Sequence, residues 1–455
     1  MRSIPFRRVA KDALEDQDAQ RLLKILPFAF RALREAALSE LPDPKGALKK
    51  AAEIRADALE VLPELLETFE KNAKANGTNI HWARDAKEAR LIVLGLLGAQ
   101  NSKTVLKSKS MLTEEIGLRE FLGEEGFETL ETDLGEFICQ VLGLPPFHIV
   151  GPAINVPVER VSALFLDMGF IQGPVTDPVA LGVAAREFFR RKFSEAKVGI
   201  TGVNFAVAET GSILGVENEG NIRFLKSVPK VQVSLMGIEK LVPTIEDAFY
   251  VLRLLPPSCT GQRMSAYVTI DSGPRRFGEF DGPEELHVVI VDNGRSKIYE
   301  DPKTRPALAC IRCGACLNVC PVYAQVGGYP YGFAYSGPMG LVWTPMLVGL
   351  KAANELLQAC SLCGACKEVC PAGIDHPMLI LELRKKLARK RLLSLEGIAY
   401  GVAGFGLSGG MRENLGLKIL RPFYNALGRR FGLPLLAPRR FREAFGAAQN
   451  KEKMP

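Results

Sequence analysis

The first part of the chain alternates apolar and charged positions at helical spacing. Large aliphatic and aromatic residues recur every three or four positions within residues 22–28 and again within 58–66, with charged residues between them. This is the pattern of amphipathic helices. Pro42 and Pro44 interrupt it, because proline cannot continue a helix interior. We therefore predict a helical N-terminal arm over residues 1–75.

The pattern then changes to short runs rich in β-branched residues that alternate with helical segments. The runs predict strands at residues 79–82, 103–107, 129–132, 148–150, 204–209, 213–217, 231–237 and 286–291, and helices at 86–98 and 110–125. Strands that alternate with helices are typical of a layered α/β sheet. We therefore predict an α/β domain over residues 76–295, so that the fold class is α/β plus α.

Residues 296–380 carry most of the cysteines. Eight of the ten form two copies of the pattern C-x2-C-x2-C-x3-C-P, which are Cys310, Cys313, Cys316 and Cys320 before Pro321, and Cys360, Cys363, Cys366 and Cys370 before Pro371. In two-cluster ferredoxins, three cysteines of one run and the fourth of the other ligate each cubane cluster. We predict two [4Fe–4S] clusters, one held by Cys310, Cys313, Cys316 and Cys370, the other by Cys360, Cys363, Cys366 and Cys320.

Other uses of these cysteines agree less well with the pattern. Structural zinc calls for paired C-x2-C ligands, and disulfide frameworks are typical of short secreted chains. About forty residues separate the two runs, and they include a glycine- and aromatic-rich loop and a helix predicted at 345–357. Such an insertion indicates the helical kind of two-cluster domain that occurs within larger redox enzymes.

Composition adds limits to this picture. The chain has 455 residues, 47% hydrophobic and 24% charged, with a net charge of +7, which predicts a globular protein of two or three domains. We find no nucleic-acid-binding motif, no apolar run long enough to span a membrane and no signal-peptide pattern, and we expect a cytoplasmic protein. Residues 381–455 form a basic C-terminal region. It is interpreted as a solvated helix and tail, or as a docking face for an acidic partner or a membrane surface.

The residues around these motifs resemble the iron–sulfur subunit of the bacterial three-protein lactate-utilisation system. The resemblance rests on the segments 310–323, 199–212, 81–83, 109–115 and 281–287. It implies that the α/β region is a lactate-utilisation (LUD) domain, similar in fold to sugar-phosphate isomerases and CoA transferases. It also implies two partners, a cysteine-rich heterodisulfide-reductase-like subunit and a small LUD-only subunit, with joint oxidation of L-lactate to pyruvate.

These observations predict an electron-transfer subunit with two clusters, and they leave its catalytic residues unassigned. One alternative is a self-contained 2-hydroxy-acid oxidoreductase with its substrate in the α/β domain. Against it, the sequence shows no flavin or nicotinamide site to receive a hydride, since it has no dinucleotide fingerprint. A second alternative is a redox-sensing scaffold without catalysis.

Several other polar residues are weighed against structural roles. Glu209 could be a carboxylate nucleophile, as in CoA transferases, but a strand-end carboxylate more often satisfies a nearby turn or helix start. The backbone of residues 210–212 could cradle an anion. His376 could tune a cluster by hydrogen bonding, although a surface role is favoured. Structural or solvated roles are expected for His81, His148, His287, Lys103, Lys107 and Lys109, and burial for Cys139 and Cys259. The resemblance leads us to expect a histidine after Gly327 and Gly328, where this chain has Tyr329.

Overall fold

The computed structural model describes residues 4–100, 102–390, 421–422 and 425. The chain divides into two units, residues 1–384 and residues 385–455. The elements below belong to the first unit, except for the end of the last helix. The docking role predicted for the basic region concerns residues that lie almost entirely outside the described ones, from residue 391 onward.

Five helices form the N-terminal arm, as the periodicity predicts. They are α1 Phe6–Glu15, α2 Gln17–Leu23, α3 Leu26–Ser39, α4 Pro44–Glu60 and α5 Leu62–Ala75. Asp16 caps α2 and Asp43 caps α4 by accepting hydrogen bonds from backbone N–H groups of the first turn, which otherwise lack partners. Pro44 occupies the first position of α4, where its missing N–H costs nothing.

The described residues contain ten strands in two sheets. The strands are β1 Asn79–Ala83, β2 Thr104–Lys107, β3 Glu128–Glu131, β4 Val198–Gly202, β5 Phe205–Val207, β6 Ser212–Glu217, β7 Val231–Gly237, β8 Leu241–Val242, β9 Tyr267–Asp271 and β10 Glu285–Val291. The large sheet has the order β1-β10-β7-β4-β2-β3 and is parallel throughout. Its register pairs Val198 with Val231 and Leu106 with Gly199. The chain runs outward from β2 to β3 and then back from β4 through β7 to β10. The direction of winding therefore reverses between β2 and β4.

Helices cover both faces of this sheet. They are α6 Ala86–Gly98, α7 Met111–Glu115, α8 Leu118–Glu124, α9 Leu134–Leu142, α10 Val158–Asp167, α11 Pro178–Glu195 and α12 Asn221–Ser227. Two further helices, α13 Ile245–Leu252 and α14 Leu255–Thr260, pack instead with a second, smaller sheet. Val105 packs with α6, α7 and α8 on one face, and the next residue, Leu106, packs with α9, α10 and α11 on the other. Adjacent strand residues point to opposite faces, and both faces are apolar, as expected of a sheet buried on both sides.

The second sheet is small and mixed, with the order β8-β5-β6-β9. Phe205, Val207 and Leu214 of this sheet pack against α3, α4, α13 and α14. The same hydrophobic core includes Ile311 and Cys313 of the first cysteine run. The α/β region and the cysteine region therefore share a core.

The cysteine region is helical. Its helices are α15 Arg295–Glu300, α16 Ala315–Asn318, α17 Tyr323–Val326, α18 Gly337–Val348, α19 Asn354–Gln358, α20 Ala365–Glu368 and α21 His376–Lys390, with 3-10 turns at Arg305–Ala309 and Tyr329–Tyr331. No strand occurs between residues 296 and 390. This agrees with the helical kind of two-cluster domain.

Some predicted elements are wrong in place or type. The helix predicted at 345–357 is instead α18, which begins at Gly337, contains Pro345 and ends at Val348, followed by the separate α19. Residues 337–345 of α18 are all buried, so no amphipathic periodicity marks its start. Residues 148–150 form a loop and not a strand, and Gly117, at φ +61°, divides the predicted helix 110–125 into α7 and α8. The segment before residue 198 holds two helices, α10 and α11, for which we made no prediction.

Among the residues that the structure describes, no helix has the length and apolar character needed to cross a lipid bilayer.

Candidate cluster-binding centre and adjoining cavity

The two cysteine runs adopt the same local fold. The residue before the second cysteine has left-handed backbone in both runs, with φ +61° at Arg312 and +57° at Leu362. The glycine after that cysteine is also left-handed, with φ +77° at Gly314 and +88° at Gly364. The backbone N–H of Arg312 donates to Sγ of Cys310 at 3.4 Å, and that of Leu362 to Sγ of Cys360 at 3.3 Å. The sequence repeat is therefore a structural repeat.

Four cysteines, called here the first cysteine group, surround a cavity of about 40 Å³. They are Cys310, Cys313, Cys316 and Cys370, and Met339 and His376 also line this cavity. Three of these cysteines belong to the first run and the fourth to the second. The chain thus crosses between the runs in the way that the predicted ligand set requires.

The remaining four cysteines form a second group. Burial, with smaller contributions from the neighbouring Cys320, Cys360 and Cys363, raises the pKa of Cys366 to about 12. Burial also raises the pKa of Cys320, with Cys360 and Cys363 adding to the effect. This group is more open than the first, because Cys363 is exposed while Cys313 and Cys316 are buried.

The donor set of the first group fits a cubane cluster, which is ligated by four cysteines. In the described part of the chain, no three histidine, cysteine, aspartate or glutamate side chains converge on one point. The sulfur atoms of the first group instead surround a cavity. Burial raises the pKa of Cys313 and Cys316 well above the usual range of a thiol, so their thiolates need a compensating cation. Bound iron would supply that charge and would deprotonate these thiols on coordination. That these cysteines bind clusters stays a prediction.

His376 is placed differently from our expectation of a surface role. It is only 2% exposed and lines the cavity of the first cysteine group. Burial lowers its pKa to about 4, and its Nδ1 has no hydrogen-bond partner among the described residues. The location agrees with the alternative role, tuning of a cluster.

A larger cavity of about 300 Å³ adjoins the first cysteine group. Its walls come from the carboxyl ends of the parallel strands β2, β4 and β7, at Lys109 and Ser110, Gly202 and Asn204, and Met236 and Gly237. Ligands of open α/β sheets bind at this edge, where the winding of the chain reverses. Four residues line both this cavity and the smaller one, namely Ile149, Ile311, Arg312 and Tyr335.

A buried network of charges borders the larger cavity, which Glu239, Arg295 and Tyr335 of the network line. The guanidinium of Arg295 donates to Glu115 at 2.8 and 2.9 Å and to Glu239 at 2.7 Å. The hydroxyl of Tyr335 donates to Glu115 at 2.5 Å. Burial alone would raise the pKa of Glu239, but the charges of Arg295, Lys240 and Arg312 lower it to about 2. Glu239 is therefore ionised, as pairing with arginine requires.

Most other polar residues weighed from the sequence lie away from this wall. Glu209 accepts a hydrogen bond from the backbone N–H of Ile245 at the start of α13, in agreement with the structural role. Gly211 packs against the backbone of α5, where a Cβ would come within 2.2 Å of Ala73 N. Lys107 is fully buried and donates to Glu131, whereas Lys109 lines the cavity and donates to the carbonyl of Val150.

The histidines and lone cysteines are packed in the fold. His81 contacts His287 at 3.0 Å, and His287 contacts Glu285. His148 is buried against Asn318 of α16. Tyr329 pairs with Asn155. Cys139 is buried and Cys259 is partly buried, and burial raises the pKa of each to about 12.

The sequence reasoning missed Glu115, Glu239, Arg295 and Arg312 as parts of one site. These residues lie far apart in the chain and meet only through the sheet topology. One signal was available, because Arg312 stands where the otherwise similar second run has Leu362.

Comparison with known proteins identifies the family. A lactate utilization protein B from Bacillus licheniformis is 40% identical over 92% of this chain and 89% of its own length. One from Shouchella clausii is 39% identical over 98% of both chains. The chain belongs to the lactate utilization protein B family. The LUD domain matches residues 66–291 and the 4Fe-4S dicluster domain residues 306–374.

In this chain the LUD match covers the parallel sheet, and the dicluster match covers both cysteine runs. A DUF162-family protein of known structure from Deinococcus radiodurans is 15% identical to this chain. The alignment covers 50% of this chain and 98% of that protein, with a TM-score of 0.28.

Proposed function

We propose that this chain is the electron-transfer subunit of a complex that oxidises L-lactate to pyruvate. One observation carries the proposal, namely that Cys310, Cys313 and Cys316 share a cavity with Cys370 of the other run. Crossed ligation of this kind is a property of two-cluster ferredoxin domains, and the relatives are lactate utilization proteins.

In this proposal the first cysteine group and the second each hold one [4Fe–4S] cluster. Such clusters accept and donate single electrons. The protein buries the first group beside the larger cavity and leaves the second group more open at Cys363. The first group therefore faces the α/β domain, and the second provides the surface at which electrons pass to or from a partner.

The partners follow from the family resemblance. They are a cysteine-rich heterodisulfide-reductase-like subunit and a small LUD-only subunit, with the basic C-terminal region as a further docking surface. Deleting the residues after Arg391 should weaken association with the partners and leave the iron content unchanged. Unchanged association would exclude the basic region as a docking surface.

The test is anaerobic purification followed by iron and sulfide analysis and EPR of the dithionite-reduced chain. We expect about eight irons per chain and a spectrum of two interacting cubanes. L-lactate should reduce the clusters only when the partners are present. Zinc in place of iron under strictly anaerobic conditions would refute the proposal.

A second candidate is a self-contained 2-hydroxy-acid oxidoreductase. The observation in its favour is that four residues line both the larger cavity and the cavity of the first cysteine group. Reduction of the clusters by L-lactate in the isolated chain would establish this alternative.

A further inference from the structure

The guanidinium of Arg312 is held in an unusual environment. It stacks on two aromatic rings, with its central carbon 4.0 Å from the ring centre of Trp343 and 4.4 Å from that of Tyr335. Its side chain is 10% exposed. Neither Nη1 nor Nη2 has a hydrogen-bond partner among the described residues, although both are buried. The nearest carboxylate oxygen, on Glu239, lies 3.6 Å from Nη2.

Buried donors without acceptors are rare in native proteins and call for an explanation. The ring centres of Trp343 and Tyr335 are 5.8 Å apart, so the two rings cover adjacent sides of the guanidinium and leave its remaining N–H groups to meet a ligand. A planar fork of this kind matches the two oxygens of a carboxylate. Arg312 lines the larger cavity, so such a ligand has space beside it.

Cations outnumber carboxylates at the wall that holds Arg312. Arg295, Lys240 and Arg312 are three cations of this wall, and Glu115 and Glu239 are the two carboxylates that pair with Arg295. Both carboxylates accept hydrogen bonds from Arg295, and Glu239 also lies 3.6 Å from Arg312. This wall has one cation more than it has carboxylates, and the rest of the cavity lining adds Lys109, Asp133, Glu217 and Glu219. Val203, Leu235 and Met236 supply apolar lining, which suits a short carbon chain.

From this geometry we infer that the larger cavity binds a small organic carboxylate, anchored by the guanidinium of Arg312. The location agrees with the rule that ligands of open α/β sheets bind at the carboxyl ends of the strands where the winding reverses. The volume of about 300 Å³ is at the lower end for small-molecule sites. The choice of a 2-hydroxy or 2-oxo acid as the carboxylate rests on the proposed function.

The test is equilibrium dialysis of the anaerobically purified full chain with radiolabelled L-lactate. We expect saturable binding of one ligand per chain, with competition by pyruvate. Lactamide, which lacks the carboxylate, should not compete. Inorganic phosphate should compete weakly, and competition by phosphate as strong as that by pyruvate would overturn the assignment to a carboxylate.

The informative variant is Arg312→Leu, because Leu362 has the same left-handed backbone in the second run. It should weaken L-lactate binding by at least about tenfold, as expected for loss of a hydrogen bond to a charged group. Arg312→Lys, which keeps the charge and loses the fork, should give an intermediate loss. Arg34→Leu is the matched control, since Arg34 lies near Cys313 and Cys370 but does not line the cavity, and it should bind normally.

The positive charge of Arg312 also faces Cys310, and a role confined to the cluster makes a different prediction. In that case Arg312→Leu would shift a reduction potential and leave lactate binding unchanged, which would overturn the inference. If Arg312→Leu loses iron, lactate binding is measured instead in Arg312→Lys and Lys240→Met. Normal lactate binding in both of these variants would overturn the inference. A chain with about eight irons that binds no carboxylate would refute the cavity assignment and leave the electron-transfer proposal intact.

Discussion

At the scale of single residues, the crossed grouping of the cysteines makes a specific prediction. Cys310→Ala and Cys370→Ala should each lose one cluster, so that iron falls from about eight to about four per chain. Because both residues line the same cavity, the cluster that remains should be the same in the two variants and give the same EPR spectrum.

Variants of the second group and a variant outside both groups complete this test. Cys320→Ala and Cys363→Ala should both lose the cluster of the second group and keep that of the first. Their EPR spectra should therefore match each other and differ from that of Cys310→Ala. Cys139→Ala should keep all of its iron, because Cys139 is a buried residue of α9 and lines neither cavity. A Cys370→Ala spectrum that matched Cys363→Ala would mean that each run holds its own cluster.

The residues also show how far the sequence reaches. Cysteine ligands are coded by local spacing, so both runs could be recognised before any fold was known. His376 lies six residues after Cys370, and its burial depends on the packing of α21 against distant segments. The ion pairs of Arg295 join residues 56 and 180 positions apart, and local spacing carries no information about such pairs.

At the scale of local elements, the two cysteine loops provide a matched pair of glycines. A Cβ on Gly314 would lie 2.7 Å from Cγ2 of Ile149, whereas nothing lies within 4 Å of one on Gly364. Both glycines have positive φ, so alanine costs about 1–2 kcal/mol of backbone strain at either position. Gly314→Ala adds a steric clash at the wall of the first cysteine group.

We therefore expect Gly314→Ala to lose iron from one cluster and Gly364→Ala to retain most of its iron. Iron analysis and EPR under anaerobic conditions measure this difference. Equal loss in the two variants would show that backbone strain dominates and that the contact with Ile149 is unimportant.

A buried carboxylate on α9 predicts a pH dependence of stability. Glu136 is 3% exposed. Burial raises its pKa to about 8, with a further contribution from Glu131, while Lys107 opposes the shift. Between the ordinary carboxyl pKa and about 8, the unfolded chain is ionised and the folded chain retains the proton. The free energy of unfolding from this group therefore falls as pH rises through that window.

Glu136→Gln should remove this contribution, which is at most about 1.4 kcal/mol per pH unit for one group. Denaturant unfolding of the wild type and the variant between pH 5 and pH 8 measures it. The variant should gain stability relative to the wild type as pH rises. Glu124→Gln, on the exposed surface of α8, should follow the wild type at every pH. A constant difference between Glu136→Gln and wild type would contradict the prediction.

The elements were predicted best where burial is one-sided or strands are regular. Helix α6 and strands β1, β2, β7 and β10 agree with their patterns to within a residue or two. Helix α18 was misplaced because its first nine residues are all buried, which removes the contrast between apolar and polar faces. Strand β8 has two residues, too few for any periodicity to be read.

At the scale of the whole molecule, the N-terminal arm joins the α/β region to the cysteine region. Leu38, Ala51 and Ile54 of the arm share a core with Phe205 of the small sheet and Cys313 of the first run. Arg55, 2% exposed, donates to the carbonyl oxygens of Leu241 and Glu239 at 2.6 Å each, and also reaches Ala309 at 3.4 Å. The arm was predicted from its periodicity, but this bridging depends on contacts between distant segments.

Because the core is shared, removing the clusters should destabilise the α/β region as well. We expect calorimetry of the anaerobic chain to show one cooperative transition that includes both regions, and extraction of iron to lower the midpoint of that transition. Ligands that bind only the native state stabilise it in this way. Two transitions, with the larger unaffected by iron, would show that the regions unfold independently.

Arg55→Met tests the same coupling from the other side of the core. The substitution leaves buried carbonyl groups without donors, at a cost of about 1–3 kcal/mol for each group, although Arg55 is absent from the lining of the cavity among the first cysteine group. We expect a lower unfolding midpoint together with faster loss of iron to a chelator. Arg223→Met, on the surface helix α12, is the control. The contrary result is an Arg55→Met chain that is less stable but loses iron at the wild-type rate. It would show that the cysteine loops hold their clusters without support from the N-terminal arm.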